Sequence, residues 1–172
     1  MKKLLAMIAI GLIAVTYSCN PVAEMASPED ISVANGRLRF RDFDHLQQVA
    51  SALRQHQTKA ELDAWEKKFS GFTSMRTAFE RLSVSEEDIE TIGKAQSEKG
   101  YESLLRLDGE QGNLEASRLI DSEILATLFN GEGIVLFGND AFKYGRGQVY
   151  VLRNFAESKL QNLNAADEIV VL

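Results

Sequence analysis

Apolar residues along this chain recur with two different periods, and the switches between them mark its elements. Ile31, Val33, Leu38 and Phe40 alternate with polar residues around Asn35-Gly36. Every second position is the strand period, and Asn-Gly at its centre is the strongest short-range hairpin signal. A two-residue loop sets Val33 opposite Leu38 and Ile31 opposite Phe40, which gives the hairpin one apolar face. The spacing then lengthens. Phe43, Leu46, Val49, Ala50 and Leu53 stand three or four apart, a helix stripe with Asp42 placed to cap it. Thr58 and Glu61 have capping-box spacing and open a helix with Leu62, Trp65 and Phe69 on one stripe, broken at Gly71.

Met75, Ala78, Phe79 and Leu82 predict a third helix, capped by Thr73 or Ser74. Ser85 precedes Glu86, Glu87 and Asp88, acids that suit the positive end of a helix dipole. The helix they open carries Ile89 and Ile92 and fades near Gly100. Residues 108–113 read as a loop, after which Asp121 caps a short helix through Leu125 and Leu128, closed by Gly131 after Asn130. Strand spacing returns over 134–137, 141–144 and 148–152, separated by Gly-Asn-Asp and Gly-Arg-Gly turns. A last helix is expected over 155–163. The closing run Ile169-Val170-Val171-Leu172 is either a final strand or the cut edge of a longer protein. The expectation is an α+β fold in a single domain over 31–172: an N-terminal β-hairpin, a helical cluster over 42–130, and a C-terminal three-stranded antiparallel meander over 133–152.

The front of the chain follows a different logic. Lys2 and Lys3 precede an apolar run over 4–15, followed by Thr16, Tyr17, Ser18 and Cys19. A positive segment, an apolar core and a small residue before the cut form the layout of a secretory signal. The run spans about 18 Å as a helix, against ~30 Å of bilayer core, so it is too short for a comfortable span. Cys19 is the only cysteine of the chain. The stretch resembles the lipobox of bacterial lipoproteins, with Ser18 before the cut and Cys19 after it. Tyr17 departs from the strict pattern, which prefers a small residue there, but looser endings in Ser-Cys are common in Bacteroidota. The resemblance implies a signal peptide over 1–18, acylation of Cys19, a flexible tether over 19–30 holding both prolines, and anchoring to the cell envelope, at the outer membrane. An acylated Cys19 has its sulfur consumed as a thioether and cannot serve as a catalytic thiol.

Charge narrows the partners. Loss of residues 1–18 removes two lysines and no acid, taking the net charge from −6 to −8. Nucleic acid and anionic lipid surfaces both need a basic patch, so neither suits this body. At 45% hydrophobic residues the chain has material for a real core.

Candidate chemistry is sparse. His45 and His56 on one helix would sit roughly 16 Å apart, too far to share a metal, and read as exposed helix histidines. The acidic stretch Asp108, Glu110, Asn113 and Glu115 lacks the glycine at position six of a calcium loop, and Leu119 stands where the bidentate acid belongs. Glu61, Asp63 and Glu66 lie near Trp65, the arrangement of a carboxylate pair beside a sugar-stacking ring, though an amphipathic core helix reads the same way. No nucleophile elbow, phosphate loop or dinucleotide fingerprint is present. Phe142 and Tyr144 share a strand face that Tyr150 joins if the hairpin register allows, and Arg146 stands at the hairpin tip. No metal and no cofactor is expected.

The runs Asn35-Gly36-Arg37-Leu38-Arg39-Phe40, Asp63-Ala64-Trp65-Glu66-Lys67-Lys68-Phe69 and Phe72-Thr73-Ser74-Met75-Arg76 resemble the front half of uncharacterised Bacteroidota lipoproteins. Leu128-Phe129-Asn130-Gly131-Glu132-Gly133-Ile134 and Phe137-Gly138-Asn139-Asp140 are similar to their back half. The resemblance implies location and fold neighbourhood, brings no activity, and points to proteins that often run longer. The reading that follows is a non-enzymatic binding or scaffolding lipoprotein with an envelope protein or a glycan as partner. Trp65, Tyr144, Tyr150 and Arg146 are its candidate contacts. The alternative is a surface hydrolase or accessory glycan-binding protein using carboxylates near an exposed aromatic.

Overall fold

A computed structural model describes residues 30–55, 58–82, 86–108, 115–145, 148–165 and 168–171. The signal segment, Cys19, the tether up to residue 29, His56, the calcium-like loop at 109–114 and Arg146 lie outside the described residues.

The hairpin forms where Asn-Gly placed it. β1 (Ser32–Ala34) and β2 (Arg37–Phe40) pair antiparallel with Val33 opposite Leu38. Asn35 and Gly36 both take positive φ, 52° and 71°, the pair of left-handed residues that a type I′ turn requires. The meander β5 (Ile134–Phe137), β6 (Asp140–Gly145) and β7 (Gln148–Leu152) also forms as expected. These two units are one sheet, because β2 pairs parallel with β5 at Arg39–Leu136 and Phe40–Phe137. The strand β8 (Glu168–Val171) adds antiparallel to β7 and completes the order β1-β2-β5-β6-β7-β8.

A parallel pair needs a long crossover, and the described residues of this one form five helices. α1 (Phe43–Leu53) is capped by Asp42, whose carboxylate accepts from the His45 N–H at 2.8 Å. α2 (Lys59–Glu66) starts on the Thr58–Glu61 capping box. It ends before Phe69, which packs from the turn beyond it. α3 (Met75–Glu80) is capped by Ser74 and α4 covers Glu86–Lys99. α5 (Glu123–Leu128) is capped by Ser122 rather than Asp121, and it closes at an extended Phe129 instead of at Gly131. The stretch 42–130 is not wholly helical: β3 (Leu105–Asp108) and β4 (Glu115–Arg118) pair as a separate two-stranded sheet. The last helix is a 3-10 segment, Glu157–Ala165, broken at Asn162.

Period two sorts the sheet residues onto two faces. Leu38, Phe40, Val135, Phe137 and Val151 join Leu46, Val49, Leu53, Leu62, Met75, Ala126 and Leu128 of the helices in the larger core. Ile134, Leu136, Ala141, Tyr150 and Leu152 face the other way and pack on Leu160 of the 3-10 segment. Both faces of the central strands are therefore covered.

Candidate functional site

Among the described residues the helical face carries an apolar groove. Its floor is Phe142 and Val149, one wall is Leu125, Leu128 and Phe129, and the other is α1 through Phe43, Leu46 and Ala50, with Gln47, Ser51 and Arg54 along the rim. The space is about 520 Å³, within the range of small-molecule sites. Phe43 stands at its mouth, 42% exposed, the one large apolar side chain exposed to that degree among the described residues. It does not flap free: its ring meets Phe142 edge-on at 5.5 Å and Phe137 at 6.0 Å, while Phe137 and Phe142 lie 4.4 Å apart. Three rings from α1, β5 and β6 thus make a preformed aromatic corner.

The opposite face holds a different chemistry. Lys143 is fully buried on the central strand β6, between Ala141 and Gly145 on the same face. Its ammonium donates to the carbonyls of Glu102, at 2.7 Å, and Tyr144, at 2.5 Å, and lies 5.0 Å from the centre of the Tyr101 ring. Burial pushes its pKa down to about 7, against the pull of Glu102 and Glu132. Above it lies a chamber of about 80 Å³ lined by Tyr101, Glu102, Gly145 and Tyr150 among others. Burial and the neighbouring Glu132 raise the Tyr101 phenol to about 12. Burial pulls Glu132 upward as well, but hydrogen bonds and charge from Arg37, joined by Lys99, hold it below the ordinary carboxylate range. Arg37, itself buried, also bridges to Glu157 and lies over the Phe155 ring.

The candidate contacts do not converge. Tyr144 is half-buried on the helical face with Phe142. The register sets Tyr150 opposite Lys143 and Tyr144 opposite Val149, so Tyr150 faces away from Phe142 and Tyr144 instead of joining them. The turn is one residue shorter than Gly-Arg-Gly implies, since Gly145 already pairs with Gln148, and a one-residue slip moves a side chain to the other face. Trp65 is half-buried and packs on Phe69 at 4.7 Å. His45 is not an exposed helix histidine. It is 1% exposed, with Nδ1 accepting from the Arg41 N–H at 3.3 Å, and α1 ends at Leu53, before His56.

Of the carboxylates, Asp63 and Glu66 do share the rim of a cleft, of about 400 Å³. Glu66 accepts from the Ser74 N–H at 2.9 Å, from the Ser74 and Thr77 hydroxyls at 2.6 Å each, and from Arg76 at 3.3 Å. Asp63 takes Arg76 at 2.6 Å, Glu61 serves the capping box, and Asp140 holds Arg153 at 2.7 Å. Among the described residues no three His, Cys, Asp or Glu side chains gather as metal ligands. Sequence reasoning passed over Phe43 as a site residue because it fitted the core stripe, and it passed over Lys143 because a lysine in a strand reads as a solvent-facing residue. The small Ala141 and Gly145 on either side, which leave room for a long inward side chain, are the signal that was there to be read.

No family model matches this chain, and no curated protein matches it. It has a distant structural neighbour in a DUF4848 family protein from Bacteroides thetaiotaomicron, at 10% identity and a TM-score of 0.42. The match covers 72% of this chain and 61% of that one, so the chain spans about three fifths of the length of the solved protein it resembles.

Proposed function

We propose that this chain is a lipid-anchored component of the bacterial envelope whose body binds an apolar ligand without transforming it. The carrying observation is the groove under Phe43, whose aromatic corner is assembled and whose lining is mostly apolar. Preformed concave apolar sites with a few polar rim groups are the usual form of ligand pockets. The anchor is acylated Cys19, joined by the tether to the hairpin, and the bilayer is the partner on that side. The outer membrane is the location that fits the lipobox-like stretch, and the acidic body has no use for nucleic acid.

Two measurements test this. Cells fed labelled palmitate incorporate it into the wild type and not into Cys19→Ala, and the variant leaves the membrane fraction. Nile red, a neutral apolar dye, brightens on the wild-type body, and Phe43→Ser weakens that binding at least tenfold with the fold intact. Unchanged membrane retention of Cys19→Ala overturns the anchor, and absence of dye binding overturns the groove.

The hydrolase alternative draws on the cleft where Asp63 and Glu66 stand beside Trp65. What weighs against it is that the Glu66 oxygens are already claimed by four donors. Hydrolysis of an envelope glycan that disappears in a folded Asp63→Asn variant would restore that reading.

A further inference from the structure

Resting on the reading of the groove as a binding site, we infer that its ligand is a free single-chain amphiphile with an anionic head, a fatty-acid-like carboxylate. The wall supplied by α1 consists of positions 43, 46, 47, 50, 51 and 54, an unbroken helical stripe in steps of three and one. From Phe43 to Arg54 that stripe runs about 16 Å along the helix axis. The groove is therefore as long as three turns of helix, and its floor and far wall offer Leu125, Leu128, Phe129, Phe142 and Val149. Small Ala50 at the middle of the stripe keeps it open. This is a trough for an extended hydrocarbon, with aromatic rings at the Phe43 end.

The other end carries the charge. Arg54 is the one charged residue among the described residues that line the groove, on a chain whose net charge is −6. A guanidinium keeps its charge whatever else it touches, and its planar fork matches a carboxylate. An anionic head at Arg54 places the tail along Ala50 and Leu46 toward Phe43. Gln47 and Ser51 on the rim face water and ask nothing of the tail. The complementarity runs along the groove: one cation at one end, hydrocarbon contacts over the rest.

The test uses the full mature chain in two forms, lipidated wild type and Cys19→Ala, titrated with octanoate, decanoate and laurate and with lauryl alcohol as the uncharged control. Both forms bind laurate, and affinity rises with chain length by up to about fourfold per methylene. Arg54→Gln weakens laurate about tenfold and leaves lauryl alcohol unchanged. Ala50→Trp fills the trough and abolishes both, and Ser51→Trp on the exposed rim is the blocking variant if Ala50→Trp does not fold. Dye binding without laurate binding, or equal effects of Arg54→Gln on laurate and alcohol, overturns this inference and leaves the groove reading standing. Laurate binding by Cys19→Ala but not by the lipidated form makes the protein's own acyl chain the occupant, and dimerisation that Ala50→Trp abolishes makes it a second copy. Either result overturns a free ligand.

Discussion

At the scale of the residue, two buried cations are handled in opposite ways. Arg76 is 1% exposed and surrounded by carboxylates of Asp63, Glu66 and Glu80, and its Nε donates to the Thr127 hydroxyl. It ties α2, α3 and α5 together. Arg76→Met leaves Glu66 as a buried charge without its cation, which costs about 3–5 kcal/mol in denaturant unfolding. Arg76 also holds the Asp63 carboxyl below its ordinary value of 3.8, so this pair stabilises the fold above that pH and is lost as acid protonates Asp63. Lys143 donates to two backbone carbonyls and lies against a ring face, and burial, stronger than the pull of Glu102 and Glu132, takes its pKa from 10.5 to about 7. A depressed lysine pKa means that the unfolded chain holds the extra proton between these values, so stability rises with pH through that window. Unfolding free energy therefore climbs from pH 7 to pH 9.5, and Lys143→Met removes that slope. Tyr101 works against it only above pH 10, where the unfolded phenol ionises and the folded one, near 12, does not. A flat wild-type profile between pH 7 and 9.5 contradicts the buried amine.

At the scale of the element, local chemistry was legible wherever a pair of nearby residues decides the outcome. Asn35-Gly36 gave the hairpin, Thr58–Glu61 the start of α2 and Asp42 the start of α1, each within four residues of the groups it satisfies. Thr58→Ala removes the hydroxyl that accepts from the Glu61 N–H and costs about 1 kcal/mol in thermal unfolding. The failures have equally local causes. Ser122 and Asp121 are both good caps, and only backbone geometry chooses between them. β3 alternates over four residues, Leu105-Arg106-Leu107-Asp108, but its partner Glu115-Ala116-Ser117-Arg118 offers a single small apolar residue, too little to announce the pair. Gly133 illustrates a constraint visible only in three dimensions. It takes φ +70°, and an added Cβ would meet the Tyr144 carbonyl at 3.1 Å and Leu119 at 3.2 Å. Gly133→Ala is expected to cost roughly 2–3 kcal/mol, read as a lowered midpoint with an unchanged m-value.

At the scale of the whole molecule, the parallel pairing of β2 with β5 is what makes the groove. It lays α1, α2, α3 and α5 on one face of the six-stranded sheet, so that α1 and α5 flank Phe142 and Val149. Nothing near Arg39 or Leu136 announces that pairing, because it joins strands far apart in the chain and rests on burial common to many arrangements. The α+β class and the meander were readable from periodicity. The site was not, since Phe43, Leu46 and Ala50 obey one helix stripe whether they touch core or line a groove. Methyl NMR of the Cys19→Ala protein titrated with Nile red tests the central claim most directly. The account predicts shifts concentrated at Leu46, Leu125, Leu128 and Val149, with Leu160 and Leu163 on the opposite face undisturbed. Shifts centred on Leu160 and Leu163, or none at saturating dye, would contradict it.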